Sequence, residues 1–284
     1  MKILVTGYTG QLGYDVVLEG LNHKLDMIGV GSKDLDITNE QEVYRYIKGL
    51  NPDAIIHCGA YTGVDNAEDD KENCWNVNVE GTRYLATAAN EIGAKFMYIS
   101  TDYVFDGEGE IPFSETDRPN PIGYYGLTKL EGEYVVQDIL NEVFIIRVSW
   151  VFGVNGSNFI KTMLRLSENR NEINVVGDQF GSPTYTFDLA SLLINMIQGN
   201  KYGTYHATNE GFCSWADFAT EIFKQVNINV KVNSITTEQF LTRAKRPKNS
   251  RMSKQKLVEN DFKQLRKWQD ALRHYLNELV QEVK

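Results

Sequence analysis

Residues 2–13 read KILVTGYTGQLG: an apolar, β-branched run that breaks into glycines at 7, 10 and 13. A helical pattern, YDVVLEGL at 14–21, follows at once. Strand, glycine turn and helix in that order place free backbone N–H groups and the positive end of a helix at the strand's carboxyl end, where a pyrophosphate can be held. The first glycines are three apart rather than the two of the common dinucleotide fingerprint, so this is a variant of it. Its place after an N-terminal strand points to a dinucleotide site.

Outward from that turn, similar runs recur: MIGVG at 27–31, AIIHCGA at 54–60, KFMYIS at 95–100 and VFIIRVSW at 143–150. Helical stretches such as QEVYRYIKGL at 41–50 and GTRYLATAANEIG at 81–93 separate them. Strands that are apolar throughout, joined by crossover helices, predict an α/β fold with a doubly wound parallel sheet covered on both faces. We expect a dinucleotide-binding domain over 1–149 and a mainly substrate-binding, smaller α/β region over 150–284, with elements shared between them. A final amphipathic stretch is expected from Gln264 to Val283.

The composition excludes several functions. Among 284 residues, 38 Asp and Glu outweigh 29 Lys and Arg, a net charge of −9. Such a chain lacks the broad basic surface that nucleic acid or an anionic membrane requires. Cys58, Cys74 and Cys213 form neither a disulfide framework nor a zinc motif. The four histidines show no metal spacing, so no metal is expected. The N-terminus opens on a strand, without a long apolar segment, so we expect the protein in the cytoplasm.

Two stretches set a tyrosine four residues before a lysine, and so on one helix face: YRYIK at 44–48 and YGLTK at 125–129. Tyr44 and Lys48 fall in a crossover helix, with Thr38 as its expected N-cap, and fit packing against the sheet. Tyr125 and Lys129 follow a proline-rich loop, RPNPIGYYG at 118–126, which comes after a strand ending in STDYVFDG at 100–107. A phenol titrates near 10 on its own. A neighbouring ammonium and a nicotinamide cation would bring that value down, and the Thr101 hydroxyl could hydrogen-bond the reacting oxygen. At the end of the second strand, VGSKDLDIT at 30–38, no acid stands at the tip. Ser32 and Lys33 could accommodate the phosphate of NADP, while Asp36 could accept from adenine.

With these motifs in this order, joined by AYTGVDNAE at 60–68, RVSWVFG at 147–153, NFIKTML at 158–164 and GDQFGSPT at 177–184, the chain resembles the extended short-chain dehydrogenase/reductases that act on nucleotide sugars. GTYHATN at 203–209 and RPKNSRMS at 246–253 fit more loosely. The resemblance implies NADPH or NADH as cofactor and reduction of the C4 ketone of dTDP-4-dehydro-6-deoxy-L-mannose to dTDP-L-rhamnose. It further implies that Gly7, Gly10, Gln11, Leu12 and Gly13 wrap the pyrophosphate, that Asp36 and Ile37 meet the adenine, and that Ala60, Tyr61 and Thr62 line the cofactor. Tyr125 would donate the proton. Lys129 would bind the nicotinamide ribose, Thr101 and Asp102 would contact the sugar, and Trp150 would pack on it. Arg246, within the basic stretch RAKRPKNSR at 243–251, is a candidate clamp for the substrate diphosphate.

The chain departs from the family at His57 and Cys58, where Asn and Ala are frequent; a buried His57 fits a core role. A dehydratase or epimerase of the same fold is one rival reading, disfavoured as a dehydratase because Tyr103 stands where an acid–base Glu would be needed. A non-catalytic regulatory subunit is another. The partner is a small nucleotide sugar rather than nucleic acid or membrane, and the oligomeric state stays open, a homodimer being one option.

Overall fold

The computed structural model describes residues 1–282. Strands β1 (Lys2–Thr6), β2 (Asp26–Val30), β3 (Ala54–His57), β4 (Lys95–Thr101) and β5 (Val143–Val148) are the five apolar runs of the sequence. They pair in parallel, and a sixth strand, Gly203–His206, joins the outer side of β5, also in parallel. The order across the sheet is 203–206, β5, β4, β3, β1, β2. The chain winds from β1 to β2 in one direction and resumes at β3 on the other side of β1. That reversal opens a crevice beyond the carboxyl ends of β1 and β3.

Alternation along β1 explains why its sequence is apolar throughout. Ile3 and Val5 face one layer, with Val16, Ile56, Met97, Phe144, Leu189 and Leu193. Leu4 faces the other, with Val43, Ile47, Ile55, Leu85, Phe96 and Val136. The first layer is built by α1 (Gln11–Asn22) and the helix Thr186–Gln198; the second by α2 (Glu40–Leu50) and the helices Gly81–Ile92 and Tyr124–Ile139. A third cluster, including Phe152, Ile160, Tyr185, Phe218, Trp268 and Tyr275, is the core of the second half. There the strand pairs are short: 151–152 with 184–185, 172–176 with 231–235, and 180–181 with 213–214.

Two local expectations are corrected. The cap of α2 is Asn39, whose side chain accepts from the Glu42 N–H, because Thr38 instead donates its hydroxyl to Asp36 Oδ1 at 2.7 Å. The final helix begins at Trp268 rather than Gln264. Residues just before it run alongside Glu210, which accepts from the Trp268 N–H and donates its own N–H to the Arg266 carbonyl. Val283, where that stretch was expected to end, lies outside the described residues.

Candidate active site

The turn after β1 depends on Gly7. Its φ is +70°, and a Cβ there would lie 2.6 Å from the backbone nitrogen of Gly59. Only glycine lets β1 turn this close to the end of β3. Gly10 then caps α1 without any side-chain hydrogen bond, so the first N–H groups of the helix face the crevice as anion donors. A cofactor pyrophosphate fits this cradle.

The crevice is a cleft of about 950 Å³. Gly7, Gly10, Gln11, Leu12 and Gly13 line one end, with Ser32, Asp36 and Ile37 beside them and Ala60, Tyr61 and Thr62 on the β3 side. Thr101, Asp102, Tyr125, Lys129, Trp150 and Arg246 line the remainder. Two residues depart from their expected settings. Lys33 is exposed and does not line the cleft. The Gln11 side chain accepts from the Gly153 N–H at 2.9 Å and from Asn158 at 3.1 Å, tying the glycine turn to the second half of the chain.

Tyr125 and Lys129 sit on the first two turns of the helix Tyr124–Ile139. That helix can press against the end of β4 because Gly126 has no Cβ, which would lie 2.1 Å from the Tyr103 carbonyl oxygen. Tyr125 and Thr101 both line the cleft, and the Tyr125 ring meets the edge of Tyr103 at 5.6 Å. Burial pushes the phenol well above its ordinary value, and the neighbouring Asp102 adds to the shift. Desolvation of the phenolate outweighs the lowering contribution of Thr101. The phenol is therefore in the proton-donating form at neutral pH.

Lys129 is buried, with its ammonium 4.0 Å from the centre of the Tyr98 ring. Burial pushes it down to about 7, with Glu133, one turn further along the helix, the main opposing charge. A lysine depressed on folding binds fewer protons in the native than in the unfolded state, so stability rises with pH between about 7 and the unfolded value near 10.4. Lys129→Met should therefore stabilise the fold most at or below pH 7, by up to roughly 4 kcal/mol, with the gain shrinking towards pH 10. Thermal melts of both proteins from pH 6 to 10 check this; a gain that grows with pH would refute it.

Glu133 escaped the sequence reading although it continues the Tyr125, Lys129 face at the same four-residue spacing. Its carboxylate accepts from Arg147 Nε at 2.9 Å and Nη2 at 2.6 Å, and from Ser100 Oγ at 2.5 Å, all buried. Trp215 was also missed. Its ring stacks on Trp150 at 3.7 Å and 14°, and it begins a helix behind the Ser214–Asp217 capping box, a signal present in the sequence. Trp150 itself has a φ of +48°, a strained value for a bulky residue.

The basic stretch is mostly paired. Arg243 binds Asp69, Lys248 binds Asp178 and Glu238, and Arg251 lies over the Phe180 ring. Arg246 lines the cleft with Nη2 2.7 Å from Asp65, and its buried Nε has no hydrogen-bond partner among the described residues. His57 lies between Thr6 at 2.7 Å and Thr82 at 3.1 Å and is pushed down to about 3 by burial: a neutral core histidine. Burial pushes the adjacent Cys58 thiol up to about 12, which favours the thiol over the thiolate at neutral pH.

A doubly wound sheet with a glycine turn after β1 and a cleft over its carboxyl edge places the protein among the Rossmann-type extended short-chain dehydrogenase/reductases, a class of oxidoreductases. Within it, the chain belongs to the family described as RmlD substrate binding domain, whose model matches residues 1–281. A dTDP-4-dehydrorhamnose reductase from Aggregatibacter actinomycetemcomitans is 42% identical, over 96% of this chain and 97% of that one. The crystal structure of a dTDP-4-dehydrorhamnose reductase from Clostridium acetobutylicum superposes with a TM-score of 0.96 at 42% identity, covering 99% of this chain and 100% of that one. Another from Bacillus anthracis, in complex with NADP, gives a TM-score of 0.95 at 42% identity, covering 98% and 100%.

Proposed function

We propose that the protein reduces the C4 ketone of dTDP-4-dehydro-6-deoxy-L-mannose to give dTDP-L-rhamnose, with NADPH or NADH. The observation that carries this reading is the placement of Tyr125, Thr101 and Lys129 on one wall of a cleft whose other end is the uncapped helix at Gly10. The near full-length relatives with that activity in their names support it. The reduced nicotinamide supplies hydride to C4.

The chain's own residues align the partners and move the proton. The N-terminus of α1 and the Gly7 turn hold the pyrophosphate. Lys129 holds the nicotinamide ribose, Thr101 donates a hydrogen bond to the ketone oxygen, and Tyr125 protonates that oxygen as hydride arrives. Trp150 provides a flat wall for the sugar, and Arg246, already charge-balanced by Asp65, is the candidate contact for the diphosphate. Tyr103, against the Tyr125 ring, leaves no second carboxylate for elimination. The cytoplasm is the proposed location; among the described residues no helix is long and apolar enough to cross a membrane.

The test is to supply purified protein with dTDP-4-keto-6-deoxyglucose, a 3,5-epimerase, and NADH or NADPH in parallel. The loop after β2 places Ser32 rather than an acid at its tip, and Ser32 does not repel a 2′-phosphate. Both cofactors should therefore turn over, with kcat/KM values within about a thousandfold, a gap of roughly 4 kcal/mol. Stronger rejection of NADPH would show that another group excludes the phosphate. Conversion of dTDP-glucose itself to a 4-keto product would transfer the assignment to a dehydratase.

A further inference from the structure

Residues 153–158, GVNGSN, run from the wall that carries Trp150 to the helix Phe159–Ser167. Gly156 and Ser157 are exposed, yet they line the same cleft as the glycine turn after β1. Three consecutive residues of that turn are tied to this loop. Asn155 donates from Nδ2 to the Thr9 carbonyl at 2.9 Å and to the Gly10 carbonyl at 3.1 Å. Gln11 accepts from the Gly153 N–H and from Asn158. Gly156 lies beside the same glutamine, since a Cβ on it would be 3.3 Å from Gln11 Cγ. Thr9 and Gly10 are themselves exposed, so the Asn155 bonds cross the mouth of the cleft and not its floor.

The loop is stiff in itself and lightly fastened at its tip. Lys161 Nζ donates to the Val154 and Gly156 carbonyls at 2.5 and 2.9 Å, which fixes the shape of the bend. Asn158 closes the base: it caps the following helix by accepting from the Lys161 N–H and donates to the Gly153 carbonyl at 2.9 Å. Among the described residues, the tip 154–157 is hydrogen-bonded to the glycine turn through Asn155 alone. A short segment of fixed shape, pinned at its base and held at one exposed point, can lift as a unit.

We propose that residues 154–157 are a gate over the cofactor, held shut by Asn155, which opens for the nucleotide to enter and to leave. This inference rests on the cofactor site of the reading above and adds a positioning residue, Asn155, to it. The pyrophosphate seated on the N-terminus of α1 adjoins the turn that Asn155 clasps, so the closed loop stands in its way out. Both Asn155 bonds join protein to protein. They hold the loop alike in the empty and the filled cleft, and an interaction that is equal in two states slows passage between them without favouring either. Once the loop lifts, the exposed Thr9 and Gly10 carbonyls take water in place of the amide, which keeps the cost of opening to the small net value of two hydrogen bonds.

Stopped-flow fluorescence of NADPH binding tests the gate without any sugar present. Mixing the protein with rising NADPH gives kon, and displacement by excess NADP⁺ gives koff. In Asn155→Ala both should rise about 5- to 100-fold, the range for loss of two neutral hydrogen bonds, while their ratio, Kd, stays within about threefold. Asn155→Leu, similar in volume but without a donor, should behave in the same way. An unchanged koff would show that the nucleotide passes without the loop opening. A raised koff with kon unchanged or lowered would make Asn155 a support of the pyrophosphate cradle. Wild-type rates in Asn155→Leu would show that bulk, rather than hydrogen bonding, closes the loop. Each of these three results would overturn the gate. NADPH binding by the wild type reports separately on the cofactor site, and turnover of the keto sugar reports on the proposed reduction.

Discussion

Replacing Tyr125 by Phe should lower kcat by about 10²- to 10⁴-fold, the range for loss of a general acid, while NADPH binding stays within about twofold. The substitution keeps the ring that packs edge-on against Tyr103 and removes only the hydroxyl. Tyr44→Phe is the matched control. Tyr44 also lies four residues before a lysine, but on α2, where Lys48 pairs with Glu91 at 2.8 Å and sits 5.4 Å from the Tyr44 ring. Neither residue lines the cleft. Its loss should stay within about threefold, as expected for a substitution away from the core and the site. Steady-state kinetics with cofactor titrated by fluorescence make the comparison. Near-normal kcat in Tyr125→Phe would remove Tyr125 from the proton transfer.

Glu133→Ala should destabilise the fold by about 3–5 kcal/mol, the loss typical when one partner of a buried ion pair is removed. The cause is what remains. Arg147, 4% exposed, would keep its charge without the carboxylate that pairs with it, and Ser100 would lose its acceptor. Lys129, one turn before Glu133 on the helix, would lose the anion that most supports its ammonium. Replacing both partners, as in the double variant Glu133→Leu with Arg147→Met, should recover much of the loss, because no uncompensated charge stays buried. Urea unfolding of the single and double variants tests this. A double variant as unstable as Glu133→Ala would show that packing, rather than the stranded charge, sets the cost.

The central strands β1, β3, β4 and β5 were legible because they are buried on both faces, so burial leaves its mark on ILV at 3–5 and AIIH at 54–57. The Gly203–His206 strand was not: GTYHATN mixes polar and apolar residues. His206 and Tyr205 are buried there by contacts with Phe105 and Phe262 from distant segments. The same division holds at the site. The glycine turn, Thr101 and the Tyr125–Lys129 pair carry local spacing that a reader can find. Glu133 and Trp215 carry local signals too, a four-residue spacing and a capping box, but what brings them to the site, as with the Asp65–Arg246 pair, is a partner 14 to 181 residues away along the chain. Lys33 is exposed in the loop after β2, where Asp34 accepts from the Gly31 N–H.

The returning strand bears on how this scaffold could be recombined. After Tyr185 the chain leaves the region behind Trp150, lays the helix Thr186–Gln198 against α1, adds the Gly203–His206 strand to β5, and only then goes back to supply Trp215 and Arg246. A chimera joined once near residue 150 would import a foreign helix and edge strand along with a foreign substrate wall. Exchanging that wall alone requires two inserted segments, roughly 150–185 and 207–282, with the intervening stretch kept native.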